Sequence, residues 1–449
     1  MKILLTVHQF FPQYAAGTEV LTYSVAKNLI DRGHEVRVLT AYPTEEKILD
    51  ELRCDEYFYE HIHIYRFFHS YEPMGDQTSL IELSFDNHLA NRFFRQILDG
   101  YSPDVVHLFH LNRLGTGLIE TAVNAGVPVF WTPTDFWSIC PTGQLLLEDG
   151  NLCQGPSKYA GNCIKHFATN RRSASVGGIV KFFPTTALDF LSRSTQLGLL
   201  KSYPYCTEVK AIGSRLEKNI NRLNLLDKII SPNRFMTDKL VSHGVHPDLI
   251  AEFAFGVNVP DVDGRGERLG PHNPFRIGFI GTLLPHKGCH ILLEAYRLIP
   301  EGSSVLIIYG DGADSPDYFD KLKGLSAGRS DIEFRGTFHN SRINEILLDM
   351  DVLVIPSLWF ENTPLVLYSA QFARCPVVAS RFPGISTVIH DQVNGLLFEP
   401  GDFKDLAENL VKLISFPVIA KQLSANAIKP KSTSEYVDFI FDFWRQVKT

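Results

Sequence analysis

Two turns in the second half of the chain carry the residue types best suited to chemistry. The apolar run 351–355 leads into Pro356-Ser357-Leu358-Trp359-Phe360-Glu361-Asn362-Thr363-Pro364-Leu365, a strand-to-helix crossover of the kind at which open α/β sheets bind ligands. Thr363 can cap the following helix and Pro364 can take its first position, leaving free N–H groups and the positive end of the helix dipole for a ligand. A diphosphate suits such a helix end. Glu361 can accept backbone N–H bonds as a helix cap, or the hydroxyl groups of a sugar, and spacing alone leaves both readings open. The second turn, Ile280-Gly281-Thr282-Leu283-Leu284-Pro285-His286-Lys287-Gly288, brings Lys287 to the start of a helix. Its point charge there either neutralises phosphate or is simply solvated. Gly310-Asp311-Gly312 adds a tight turn that admits a ligand close to the backbone.

The elements that must position these turns are short apolar runs alternating with helical periodicity, the signature of βαβ units and parallel sheets. In the first half the runs 3–7, 34–40, 62–67, 104–109, 127–132, 229–231 and 250–255 are predicted strands. In the second half they are 275–281, 304–309, 332–334, 352–355 and 376–379. These divide the chain into an N-terminal domain at 1–260, a linker at 261–274 and a C-terminal domain at 275–432. A terminal helix at 433–449 is expected to pack back on the first domain.

A chain of 449 residues with 45% apolar and 21% charged side chains can bury two α/β cores. Its net charge of −7 argues against bulk nucleic-acid binding. Residues 1–8 read as a buried strand rather than a secretory signal, and no run reaches the roughly 18–20 apolar residues of a membrane span. Seven cysteines without an export signal point to reduced thiols and a cytoplasmic protein.

Gly-x-Leu-x(3)-Lys-Gly, Gly-Asp-Gly, Pro-Ser-x(3)-Glu-x(2)-Pro-Leu and Pro-Val-Val-Ala-Ser occur in that order, and on these motifs the chain resembles the family-4 glycosyltransferases. The resemblance implies a GT-B fold, α/β, with two facing Rossmann-like domains and a cleft between them. It places Lys287 on the diphosphate of a nucleotide-sugar donor and Glu361 on the donor sugar. Gly281, Thr282, Gly310, Asn362, Thr363, Pro364, Leu365 and Ser369 complete the donor side. It also implies a retaining transfer that needs no metal or other cofactor, in which the leaving diphosphate accepts the acceptor's proton. Three positions depart from the family pattern: Thr282 stands where an arginine is common, Ser369 where a second glutamate holds the ribose, and Thr387 where glutamate is frequent.

In the first half, Gly17 and Thr18 open a helix after the first strand, where the resemblance implies contact with the acceptor or the transferring sugar. Ala16 replaces the first glycine of the family's usual pair. His110 ends the strand 104–109, where it can reach the cleft, and Asp135, after the strand 127–132, suits a sugar hydroxyl or the orientation of its loop, with a buried helix cap as the other reading. Thr134 stands where related enzymes carry a histidine, and His107 reads as a packed core residue.

Cys140, Cys153, Cys163 and His166 share the loop 138–166 and have the types for a tetrahedral structural zinc; free thiols packed beside Trp131 and Trp137 are the other reading. From 165 to 223, Lys165, Arg171, Arg172, Lys181, Arg193, Lys201, Lys210, Arg215, Lys218 and Arg222 face only Asp189, Glu208 and Glu217. Interleaved apolar residues, Ile179, Phe182, Phe183 and Phe190 among them, suit a peripheral membrane contact at the inner face of the membrane, or a helical insertion covering its own core.

The expectation is a hexosyltransferase that moves sugar to a glycan or lipid-linked acceptor in cell-surface polysaccharide or lipopolysaccharide synthesis. A catalytically degenerate sugar-nucleotide-binding subunit is the alternative. A sugar-nucleotide epimerase would need paired acid/base carboxylates, and a nicotinamide enzyme would need Gly-x-Gly-x-x-Gly after the first strand.

Overall fold

The first strand, β1 (Lys2–Val7), is buried along five of its six residues, as a central parallel strand covered on both faces must be. In the computed structural model, which describes residues 1–147, 149–170, 178, 180–259, 268 and 270–446, β1 pairs in parallel with β2 (Glu35–Thr44) on one side. On its other side lies β5 (Val105–Leu108). The remaining strands of this sheet are β3 (Cys54–Tyr59), β4 (Ile62–Ser70), β6 (Val129–Trp131), β7 (Lys228–Ser231) and β8 (Ile250–Glu252), in the order β3-β4-β2-β1-β5-β6-β7-β8. All pairings are parallel except β3 with β4, a hairpin whose turn residues Glu60 and His61 both have positive φ.

The second sheet is parallel throughout, ordered β11-β10-β9-β12-β13-β14. Its strands are β9 (Phe275–Ile280), β10 (Ser304–Tyr309), β11 (Ile332–Gly336), β12 (Val352–Ile355), β13 (Val377–Ser380) and β14 (Leu396–Phe398). Helices on it bury Leu292, Leu293, Leu322, Leu406 and Leu410 into one continuous core with Ile277, Leu306 and Val354.

Each sheet belongs to its own compact unit, and the chain crosses between them more than once. The first unit comprises Met1–Pro232, Met236–Phe253 and Val437–Thr449, and the second Asn233–Phe235 and Ala254–Tyr436. The helix Thr433–Gln446 carries the last crossing. From it, Trp444 is buried against His107 and Phe130, Phe441 stacks on His34, and Asp438 pairs with Arg32 at 2.5 Å. Most of the expected linker, 261–267 and 269, lies outside the described residues.

In both sheets the connectivity reverses beside the first strand: the chain leaves β1 for β2 on one side and returns as β5 on the other, and β9 is flanked likewise by β10 and β12. Such switch points open crevices at the carboxyl ends of the strands, and the candidate residues stand there.

Candidate functional site

In the second unit, Lys287 follows β9 and Glu361 follows β12. The lysine Nζ donates to Glu361 Oε1 at 2.8 Å, and the same oxygen accepts Ser357 Oγ at 2.7 Å and Trp359 Nε1 at 2.8 Å. Glu361 is buried, with its carboxyl held below the usual carboxylate range. Burial opposes ionisation, but Lys287 foremost, then Ser357 and Trp359, outweigh it. The ammonium also sits 4.9 Å over the Trp359 ring. Burial, reinforced by Lys287, pushes the neighbouring His286 down to about 4, so its imidazole is neutral near pH 7.

Backbone contacts hold the two turns together. Leu358 N donates to His286 O at 2.8 Å, and Gly288, in the left-handed region at φ 74°, lies so close to the other turn that a Cβ would stand 1.8 Å from Pro356 O. The turns after β9 and β10 are equally close: Gly281 N donates to Tyr309 O, and a Cβ on Gly310 would lie 2.1 Å from Gly281 O. Thr282, half-buried in the same turn, accepts Leu284 N through its carbonyl. Beyond Gly310 a hollow of about 520 Å3 is lined by Asp311, Gly312, Phe319, Lys323 and Phe334.

Thr363 does not cap the helix as expected. The helix runs Leu365–Phe372 with Pro364 at the N-cap, and Thr363 sits at φ 80° with its hydroxyl donating to Gly384 O. The residue before a proline is kept out of the helical region, and here the hydroxyl is already engaged. Asn233, absent from the sequence reading, holds this loop by donating from Nδ2 to Asn362 O, Asn362 Oδ1 and Thr363 Oγ1 at 3.0–3.2 Å. Ser369 turns its hydroxyl back to Leu365 O within the helix.

In the first unit, His8 after β1, His110 after β5 and Asp135 after β6 meet at the ends of three strands. His110 Nδ1 accepts Asn112 N at 3.1 Å, so the ring proton belongs on Nε2, which faces Asp135 Oδ2 at 3.0 Å. The other carboxyl oxygen of Asp135 accepts Trp137 N. His8 lies against His110 with ring centroids 4.1 Å apart, and its Nε2 is 3.7 Å from Glu19 Oε1. Burial, with His110 and Arg113 adding to it, holds His8 well below its ordinary value. Glu19, on the helix Gly17–Asp31, is fully buried, and desolvation, only partly offset by the local backbone, His110 and Gln9, raises it from 4.5 to about 7. Sequence reasoning missed this pair because a glutamate in a first helical turn ordinarily serves the dipole. The helix begins at Gly17 with Ala16 as its N-cap, and Thr18 O accepts the Thr22 hydroxyl. Thr134 keeps a buried hydroxyl without a hydrogen-bond partner.

Glu19→Gln tests the cluster. A carboxyl raised to about 7 keeps its proton in the folded chain where the unfolded chain has lost it. The stability this gives is complete below about 4.5 and is lost as pH rises through about 7. At pH 8 the group therefore costs about 3 kcal/mol, which glutamine removes. The variant's thermal midpoint is expected to exceed wild type at pH 8, with the gap closing toward pH 5; a gap independent of pH refutes the assignment.

All seven cysteines are free, and among the described residues no three His, Cys, Asp or Glu side chains gather as a metal-binding group. Cys140 Sγ bonds Thr142 and Cys153 Sγ bonds the Gly155 backbone, while burial raises the Cys163 thiol. Three cations of the basic insertion are taken up by partners within the first unit. Arg215 is fully buried and donates to the carbonyls of Trp137, Ser138 and Ile139, anchoring the loop that carries Asp135. Lys218 pairs with Glu82 and Asp86, and Arg222 with Asp86 and Glu120. Arg171, Arg172 and Ile179 lie outside the described residues.

Residues 274–415 match the family Glycosyl transferases group 1, and residues 15–152 match Glycosyltransferase Family 4. The chain belongs to the group 1, family-4 glycosyltransferases. Among relatives, D-inositol 3-phosphate glycosyltransferase of Streptomyces bingchenggensis is 29% identical over 219 residues, 45% of this chain and 48% of that one. The UDP-Gal:alpha-D-GlcNAc-diphosphoundecaprenol alpha-1,3-galactosyltransferase of Escherichia coli is 29% identical over 177 residues, 38% of this chain and 44% of that one. The chain thus spans about half the length of the curated relatives it matches. HepE of Anabaena, solved in complex with UDP and glucose, superposes with a TM-score of 0.61 at 17% identity, covering 100% of this chain and 98% of that one. The family's fold is therefore the GT-B arrangement of two Rossmann-like domains. No helix among the described residues is long and apolar enough to cross a membrane.

Proposed function

We propose that this glycosyltransferase takes a sugar from a nucleotide diphosphate donor bound in its second unit and transfers it, with retention, to a glycan or lipid-linked acceptor. The observation that carries this reading is the convergence of Lys287, Ser357 and Trp359 on a single oxygen of buried Glu361 at a switch point. The network fixes the carboxylate in its ionised form, able to accept sugar hydroxyls, and places a cation where diphosphate charge builds up as the glycosidic bond breaks. The hollow beyond Gly310 suits the nucleoside. Retention follows if the leaving diphosphate accepts the acceptor's proton, which leaves the protein to position groups and stabilise charge. In the first unit, His110, held in one tautomer by Asn112 and Asp135, is assigned to a sugar hydroxyl.

Thermal midpoints in the presence of UDP-, GDP-, ADP- and dTDP-sugars test the donor assignment. One class is expected to stabilise the protein, by about 2.7 kcal/mol at a hundredfold excess over Kd. Glu361→Ala should weaken that response. Thr282 in place of a second cation, and Ser369 bonded to its own helix, favour the second reading, a binding subunit without transfer activity. Donor stabilisation without turnover would select it, and no response to any donor would refute both.

A further inference from the structure

The helix Thr185–Gln196 buries an unusual number of small polar side chains and leaves a phenylalanine in solvent. Its inward side carries Ser192, Ser194 and Thr195, all buried, beside Leu188. Thr195 bonds Leu191 O and the Tyr203 hydroxyl, and Ser192 packs so tightly on the neighbouring helix Cys206–Leu223 that a Cβ on Gly213 would lie 2.2 Å from its Oγ. On the helix and the segments that flank it, large apolar side chains are exposed. Phe190 is 73% exposed, the flanking Phe182 86%, Leu197 56% and Leu199 73%. So many exposed aromatic and leucine side chains in one short segment mark a surface that another phase or molecule covers.

Charge decides what that is. Within 181–201 the exposed ionisable groups are Lys181, Arg193 and Lys201. The one acid of the stretch, Asp189, is turned inward, where its Oδ1 accepts Ser157 Oγ, Tyr159 N and Gly161 N at the start of the helix Gly161–Asn170. An apolar face rimmed by cations, on a chain of net charge −7, matches a surface with negative headgroups above hydrocarbon. We propose that Phe182, Phe183, Phe190, Leu197 and Leu199, flanked by Lys181, Arg193 and Lys201, form a docking face for an anionic lipid bilayer. The inference goes beyond the transfer reaction and does not depend on it, because its readout is lipid binding and holds whether or not a donor binds.

The test is co-sedimentation of the full chain with phosphatidylcholine vesicles, with and without phosphatidylglycerol. Binding is expected to the mixed vesicles and to weaken with salt. Phe182→Ser/Phe190→Ser should reduce it at least about tenfold, since two aromatic anchors leave the apolar phase. Lys181→Gln/Lys201→Gln should reduce it about fivefold per lysine at low salt and far less at high salt. All four positions are exposed, so unchanged thermal midpoints are expected and confirm that folding is intact. Binding that is absent, or equal on neutral vesicles and insensitive to both double variants, overturns the proposal. A wild-type dimer that the phenylalanine variant splits, with no vesicle binding, would assign the face to a second copy instead.

Discussion

Lys287→Ala is expected to abolish the donor-induced rise in thermal midpoint and to lower transfer by about 10²- to 10³-fold, the usual loss when one charge-stabilising donor is removed. It should also destabilise the donor-free protein by about 3 kcal/mol, because Glu361 stays buried without its counter-charge. The two losses separate by pH and by a second substitution. In wild type the carboxyl is depressed, so its contribution to stability is present above the unfolded value of 4.5 and is lost as pH falls through the lower folded value. Without Lys287, burial dominates and the carboxyl rises instead. The stability gap between wild type and variant should then be widest near pH 8 and narrow toward pH 5, where Glu361 can take up a proton. Adding Glu361→Gln should restore most of the stability but none of the donor response. A donor response that survives Lys287→Ala would remove the lysine from the site.

How much of this was readable beforehand depended on the kind of interaction involved. Buried parallel strands such as β1 and β12 announce themselves as unbroken apolar runs, and the turns that follow them drew attention to Lys287, Glu361, His110 and Asp135. Strand β3 escaped because it is a half-buried edge strand, Cys54-Asp55-Glu56-Tyr57-Phe58-Tyr59, turned by Glu60 and His61 rather than by an Asn-Gly pair. Strand β14 is only three residues long and periodicity has no purchase on it.

Side-chain roles set by tertiary partners were the least legible. Arg215 looked like surface charge until three carbonyls more than seventy residues away claimed it. Asn233 gave no sign that it would hold the loop after β12, because its partners lie about 130 residues downstream. Glu19 and His8 likewise become a pair only when the helix folds back over β1. In the insertion, composition gave the surplus of cations but not which of them have acids or carbonyls to pair with; the fold gives such partners to Arg215, Lys218 and Arg222.

Gly288→Ala is expected to be the most damaging single-methyl change in the molecule. The residue joins the turn Pro285–Lys287 to the helix Cys289–Tyr296 at φ 74°, a conformation that costs an alanine about 1–2 kcal/mol. The added carbon would also stand 1.8 Å from Pro356 O, a backbone atom that cannot rotate away. Either the turn bearing Lys287 or the loop bearing Ser357, Trp359 and Glu361 must move, and a shift near 1 Å costs about a hundredfold in rate. Gly302→Ala separates the two causes: that glycine has φ 78° with nothing within 4 Å of the added Cβ. It should lose about 1–2 kcal/mol of stability and no activity. Equal loss of activity in both variants would mean that backbone strain, not the contact between the turns, sets the geometry of Lys287 and Glu361.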